Sequence, residues 1–158
     1  MALTVRRVVT GHDEQGRARV IIDEVSKNVV SSRPNQQGMV VWTTEGFPVN
    51  NDGNADSSTR KVATTLPGGC VFRVVEFGPG VAPRNHRTDS IDFAVVMKGE
   101  IDMELDGTSV HLKAGDVLVQ RGTIHNWVNK GTEPCQIAFA LVDARPVTAG
   151  GKTLNAEG

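Results

Sequence analysis

Histidine side chains are the residues in this sequence best suited to chemistry, because an imidazole can ligate a metal or exchange a proton near neutral pH. The chain has four, at positions 12, 86, 111 and 125. His12 lies in a polar, turn-rich stretch and His111 on the polar side of an alternating strand, so both are expected at the surface. His86 and His125 each follow a glycine-containing turn beside a predicted strand, and they are the candidates for a site.

A hydroxyl and a carboxylate follow His86 at spacings that favour one strand face. Thr88 is two residues further on and Asp92 has the same parity, so the three side chains are expected to share a face. Asp92 is flanked by apolar residues, where an unpaired carboxylate would be costly. A metal ion, His86 or Arg73 could compensate its charge; alternatively, Asp92 caps a turn or pairs with Arg87.

Two further side chains join Thr88 as candidates for contacting a substrate. Arg73 lies in the middle of a predicted strand, and its guanidinium matches the geometry of a carboxylate, although the side chain could equally point outward. Trp127 is two residues after His125 and therefore on the same face, where it forms either a pocket wall or part of the core.

The elements that must position these residues are predicted to be short β-strands. From about residue 66 onward, apolar stretches alternate with turn residues at intervals of roughly eight to twelve, which is typical of an all-β sandwich or barrel. Residues 101–105 alternate apolar and polar, and Asp106-Gly107 closes a hairpin. Residues 137–142 are apolar on both faces and should lie between other strands. Further strands that extend the sheets are predicted over residues 7–10, 18–22 and 39–43.

A length of 158 residues suits one domain, since it is enough for one well-buried core and too short for two ordinary domains. We divide it into N-terminal strands with a loop over 1–65, a barrel core over 66–145 and a flexible tail over 146–158. Residues 49–58 have almost no apolar content and are expected to form an exposed, mobile surface loop, or alternatively a lid.

Composition and missing motifs exclude several functions. A net charge of -1, with no run of Lys or Arg, argues against nucleic-acid binding. The absence of a leader-like start and of a long apolar run predicts a soluble cytoplasmic protein without a membrane partner. In that setting Cys70 and Cys135 are expected to be free thiols. The sequence contains no phosphate loop, dinucleotide fingerprint or serine nucleophile elbow.

Two long patterns resemble the signature motifs of the cupin superfamily. Residues 80–99 are similar to the first motif, G-x5-H-x-H-x3-E-x6-G, with every fixed spacing retained. Thr88 replaces its second histidine and Asp92 its glutamate. Residues 115–129 are similar to the second motif, G-x5-P-x-G-x2-H-x3-N, shortened by one residue. The resemblance covers about residues 66–142 and implies a cupin-type double-stranded β-helix, or jelly-roll barrel, with extra N-terminal strands, frequently as a homodimer.

The resemblance also implies a pocket with a divalent metal, Fe, Mn, Ni or Zn, held by His86, Asp92 and His125. Thr88 excludes a complete site of three histidines and one glutamate and leaves positions open for water or substrate. Gln120 stands where many cupins line the cavity, so it is a candidate for a polar substrate contact. The expected function is a metal-dependent, lyase-like enzyme that decarboxylates, dehydrates or isomerises a small organic acid or oxygenated ring compound. The alternatives are an Fe(II)-dependent dioxygenase and a non-catalytic cupin that binds a small ligand.

Overall fold

The computed structural model describes residues 2–158, which form short β-strands and one 3-10 helix. No helix in this part of the chain is long and apolar enough to cross a membrane. The helix spans Ser57–Thr59, and the strands are Arg6–His12 (β1), Ala18–Val25 (β2), Val30–Arg33 (β3), Gln36–Glu45 (β4), Gly69–Phe77 (β5), Ser90–Lys98 (β6), Glu100–Glu104 (β7), Ser109–Lys113 (β8), Val117–Arg121 (β9), Asn126–Val128 (β10), Cys135–Asp143 (β11), Val147–Ala149 (β12) and Lys152–Leu154 (β13).

The strands form two main antiparallel sheets. A six-stranded sheet has the order β3-β4-β5-β11-β6-β9, and a three-stranded sheet has the order β10-β7-β8. Strand β11, apolar on both faces, lies between β5 and β6 as predicted. The predicted all-β jelly-roll class is confirmed, with the sheets remaining separate instead of closing into one hydrogen-bonded barrel.

Side chains from both sheets meet in one core. In β7, Ile101 and Met103 are buried while Asp102 and Glu104 are partly exposed, which matches the predicted alternation. The neighbouring β7–β8 hairpin closes through Gly107, whose φ of 69° favours glycine. The remaining core is supplied largely by apolar residues of the two sheets, namely Val75, Phe77, Ala94, Val96, Leu112, Trp127, Ile137, Phe139 and Leu141.

The N-terminal strands and the chain ends add to this frame. Strand β4, predicted at residues 39–43, extends the six-stranded sheet as expected, and β3 is an edge strand that was not predicted. Strands β1 and β2, which were also expected to extend the sheets, instead pair with each other. Most of residues 46–55 are exposed, but the short helix that follows buries Ser58. At the other end, β12 and β13 form a hairpin, and Glu157 forms a backbone bridge and an ion pair of 2.9 Å with Arg87. The division into three parts stays a prediction.

Candidate functional site

A cavity of about 540 Å³ is bounded by strands of both sheets and by residues 58–64. The two histidines, the carboxylate and the four substrate-contact candidates predicted from the sequence all line it; these are Arg73, His86, Thr88, Asp92, Gln120, His125 and Trp127. Their shared location agrees with the parity argument for the strand that follows His86. Their chemical roles stay predictions.

Backbone pairing brings the two candidate histidines together. His86 and His125 form an antiparallel bridge in which each amide N–H donates to the other's carbonyl, at 3.0 and 2.9 Å. Their ring centroids are 4.3 Å apart, and both residues are buried. Trp127 packs edge-on against His125 with ring centroids 5.9 Å apart, so it forms an apolar wall beside the pair and is also part of the core.

Hydrogen bonds to the backbone indicate which ring nitrogens carry the protons. His86 Nδ1 lies 3.3 Å from the Arg84 carbonyl oxygen, and His125 Nδ1 lies 2.9 Å from that of Thr123. A carbonyl oxygen can only accept, so Nδ1 is the donor in each ring and Nε2 keeps its lone pair. The Gln120 amide, whose Nε2 lies 3.3 Å from His125 Nε2, is placed to donate to that lone pair.

Burial keeps both imidazoles neutral. It lowers the pKa of His86 to about 4, with a further contribution from the nearby His125, Arg84 and Arg33. Burial also lowers the pKa of His125, against the hydrogen bond to Thr123. At neutral pH the pair can therefore accept protons or ligate a metal.

Asp92 belongs to a hydrogen-bond chain that ends at His125. The Ser90 hydroxyl donates to Asp92 Oδ1 at 2.6 Å and lies 2.8 Å from the Thr88 hydroxyl. Gln120, the cross-strand neighbour of Asp92, donates from Nε2 to Asp92 Oδ2 at 3.0 Å. Burial raises the pKa of Asp92, against these two hydrogen bonds. The carboxylate is thus linked to His125 through the Gln120 amide.

Neither sequence-based alternative for Asp92 is adopted, since it lies within β6 and Arg87 pairs with Glu157. The positive charge that acts on Asp92 is that of Arg73, whose Nη2 donates to the Ala63 carbonyl at 2.6 Å. Burial lowers the pKa of Arg73, and the charge of Asp92 opposes that shift. Of the two orientations considered for Arg73, the one toward the cavity is therefore observed.

The side chains of the cavity offer ligands for a divalent metal. The two imidazoles fit, because their Nδ1 atoms are engaged and the lone pair of each ring is on Nε2, with the Gln120 amide 3.3 Å from that of His125. Asp92 accepts one hydrogen bond on each oxygen, from Ser90 and from Gln120, and each oxygen keeps a further lone pair. Within residues 2–158, no three His, Cys, Asp or Glu side chains are close enough to hold one ion. The arrangement therefore supports two imidazole ligands, and Asp92 as a third ligand stays a prediction.

The sequence reasoning missed several residues of the cavity and its hydrogen-bond network, among them Arg33, Arg84 and Ser90. Arg33 lies on β3, far from either motif, so spacing gave no signal for it. Ser90 and Arg84 lie within the first motif at positions that its pattern leaves unspecified, although both have the same parity as His86.

The residues set aside from the sequence lie where they were expected. His12 and His111 are exposed, and His111 Nδ1 lies 2.7 Å from Asp102 Oδ1. Cys70 and Cys135 are free thiols.

Comparisons with known proteins agree with this architecture. The family model described as Cupin domain matches residues 73–142. Phomopsin biosynthesis cluster protein C' of Diaporthe leptostromiformis is 37% identical, over 96% of this chain and 85% of that protein. The cupin-domain-containing oxidoreductase fogC of Aspergillus ruber is 34% identical, over 95% and 78%. A solved structure from Klebsiella pneumoniae, an uncharacterized conserved protein with a double-stranded beta-helix domain, has a TM-score of 0.52 at 20% identity, covering 84% of this chain and 93% of that one. The chain therefore belongs to the cupin family.

Proposed function

We propose that this cupin is an enzyme that converts a small organic acid or oxygenated ring compound by decarboxylation, dehydration or isomerisation. The observation that carries the proposal is the His86–His125 pair, two buried neutral imidazoles with unprotonated Nε2 atoms in one cavity. The names of the relatives, one an oxidoreductase and one a biosynthesis cluster protein, support an enzyme of small-molecule metabolism.

The surrounding residues suit such a reaction. Each of the three reactions moves a proton or an electron pair next to a carboxylate or enolate, which a neutral imidazole assists by accepting or returning a proton. Trp127 and Phe139 supply apolar walls that exclude water from the reacting atoms. Gln120 holds His125 in position and connects it to Asp92.

A divalent metal, Fe, Mn, Ni or Zn, bound by His86 and His125 would supply a Lewis acid for a carboxylate or enolate oxygen of the substrate. Asp92 would then support the site through Gln120 and Ser90, a role that outer-shell groups commonly have. Thr88, Gln120, Arg73 and Trp127 remain the proposed substrate contacts from the sequence. The homodimer and the cytoplasmic location also stay predictions.

Elemental analysis of protein purified without an affinity tag or chelator tests the metal part of the proposal. We expect one divalent ion per chain, and we expect His86→Ala and His125→Ala each to fold but to lose it, because both imidazoles serve one ion. Asp92→Asn should weaken metal binding less than either histidine change. His111→Ala, an exposed histidine, is the control. Full metal content in either cavity variant would overturn the metal site.

An Fe(II)-dependent dioxygenase is the second candidate, favoured by the oxidoreductase name of the Aspergillus ruber relative. The metal separates the two: iron together with substrate-dependent oxygen uptake supports the dioxygenase, whereas turnover without oxygen supports the lyase-like reaction. A metal-free protein that binds a small ligand unchanged would leave the non-catalytic alternative.

A further inference from the structure

Charged side chains that line the cavity are strongly unbalanced. Among the described residues, five cationic side chains line it against one carboxylate, Asp92. Asp92 compensates Arg73 in part, and Arg60 forms an ion pair with Glu45 at 2.6 Å. The cationic residues are Arg33, Arg60, Lys61, Arg73 and Arg84. The chain therefore leaves net positive charge around the cavity, which favours an anionic occupant.

Arg33 combines partial burial with the lack of an ionic partner, whereas Lys61, which also has no ion pair within the described chain, is exposed. Arg33 is partly buried, its Nε is enclosed without a hydrogen-bond partner, and it makes no ion pair within the described chain. Burial lowers the pKa of Arg33, and the neighbouring charge of Arg84 adds to that effect. Enclosing a guanidinium without an anion is costly, so a group from outside the chain is the natural partner.

Arg84 lines the same cavity as Arg33, and the backbone segments beside them meet where the Ala82 N–H donates to the Pro34 carbonyl at 3.4 Å. The Arg84 backbone N–H donates to the Asn126 side-chain oxygen at 2.9 Å, and its Nη2 donates to the Gly158 carbonyl at 2.9 Å. The Arg84 carbonyl accepts the hydrogen bond from His86 Nδ1, so the backbone of Arg84 lies beside that imidazole. Arg33, Arg84 and His86 all line the cavity, and the charges of the two arginines add to the lowering of the His86 pKa.

We propose that Arg33 and Arg84 bind the carboxylate of the substrate beside His86. Two guanidinium groups that make no ion pair with an Asp or Glu side chain of the described chain match a carboxylate, whose oxygens accept parallel N–H donors. The rest of the acid would lie against Trp127 and Phe139, so the substrate class is a monocarboxylate with an apolar or aromatic body. This inference rests on the proposed function for its substrate class, and it reassigns the anchoring role expected of Arg73, which Asp92 and Ala63 already engage.

Calorimetric titration with acetate, benzoate and naphthoate, and with the matching primary amides, tests the subsite on the protein as purified. We expect the larger acids to bind more tightly than their amides. Arg33→Gln and Arg84→Gln should each weaken acid binding about tenfold to a hundredfold, the range for a hydrogen bond to a charged group, and leave amide binding unchanged. Arg60→Gln, which removes a cavity cation that is already paired with Glu45, is the matched control and should bind the acids like the parent.

Several outcomes overturn the subsite: no acid of the series binds, both glutamine variants bind the acids like the parent, or only Arg73→Gln loses binding. Thermal melting checks folding, and if Arg33→Gln is unfolded, Arg33→Lys replaces it and should lose part of the affinity because it keeps the charge but not the planar donors. A bound metal would also favour acids over amides, so the arginine variants decide. His86→Ala that keeps its metal while the arginine variants lose acid binding would refute the metal site alone. Arginine variants that bind the acids like the parent, in a protein whose His86→Ala variant loses its metal, would refute the subsite alone.

Discussion

Arg7 and Arg33 are two enclosed arginines of the N-terminal strands with opposite surroundings. The Arg7 side chain on β1 is 3% exposed, and its Nη2 lies 2.7 Å from Asp56 Oδ2 and 2.6 Å from Glu24 Oε1. Arg33 on β3 faces the cavity with Arg84 as its charged neighbour. Two carboxylates thus neutralise the buried guanidinium of Arg7, which has a structural role. Because the chain supplies acidic partners for Arg7 but none for Arg33, we attribute the unpaired charge of Arg33 to its place in the cavity.

The two enclosed carboxylates differ in the same way. The hydrogen bond from Arg7 holds the pKa of Asp56 well below its usual range. Burial raises the pKa of Asp92, which shares its single opposing charge, Arg73, with a backbone carbonyl. Pairing with Arg7 stabilises the ionised form of Asp56, whereas burial in the cavity favours the neutral form of Asp92.

Breaking the Arg7–Asp56 ion pair should have the largest effect on stability. Asp56→Ala removes the bidentate partner of Arg7 and also the cap that accepts from the Ser58 N–H at 2.9 Å. We expect the free energy of unfolding to fall by about 2–4 kcal/mol, measured by urea unfolding. Asp23→Ala, which removes the exposed partner of Arg6, is the control and should change stability little. Equal losses in the two variants would contradict the comparison.

The same carboxylate should govern part of the acid sensitivity. Because the folded pKa of Asp56 is depressed, its contribution is fully present above the unfolded value of about 4 and is lost as pH falls below it. Urea unfolding at a series of pH values should show that Asp56→Asn flattens this acid limb. A parent and variant that lose stability in parallel would show that Asp56 does not contribute to it.

Asp92 should change stability with pH in the direction opposite to Asp56, and by a smaller amount. Its folded pKa is raised, so the folded state binds the proton more tightly, and stability falls as pH rises from about 4 through the folded pKa. Asp92→Asn removes that dependence and should change stability at neutral pH by no more than about 1 kcal/mol. The measurement is urea unfolding with a chelator present, which removes any contribution from bound metal. A variant that keeps the parent's slope would assign that slope to another group.

Sequence patterns were sufficient for the parts of this structure that depend on periodicity. Alternation predicted β7, continuous apolarity placed β11 between two strands, and motif spacing brought His86 and His125 into one cavity. Nothing local distinguishes Arg33 from an arginine at the surface, because its setting is created by strand pairing and by Arg84, 51 positions away. The same limit applies to Asp92, since the interposed Gln120 amide depends on the register between β6 and β9.

The smallest effect on stability is expected for Arg33→Gln, and it completes the comparison with Arg7. Removing an enclosed charge without a counter-ion relieves a desolvation cost, so the free energy of unfolding should stay unchanged or rise by up to about 1 kcal/mol. Benzoate or naphthoate should raise the melting temperature of the parent, since a ligand that binds the folded state stabilises it, and should raise that of the variant less. A marked loss of stability without ligand would instead give Arg33 the structural role of Arg7.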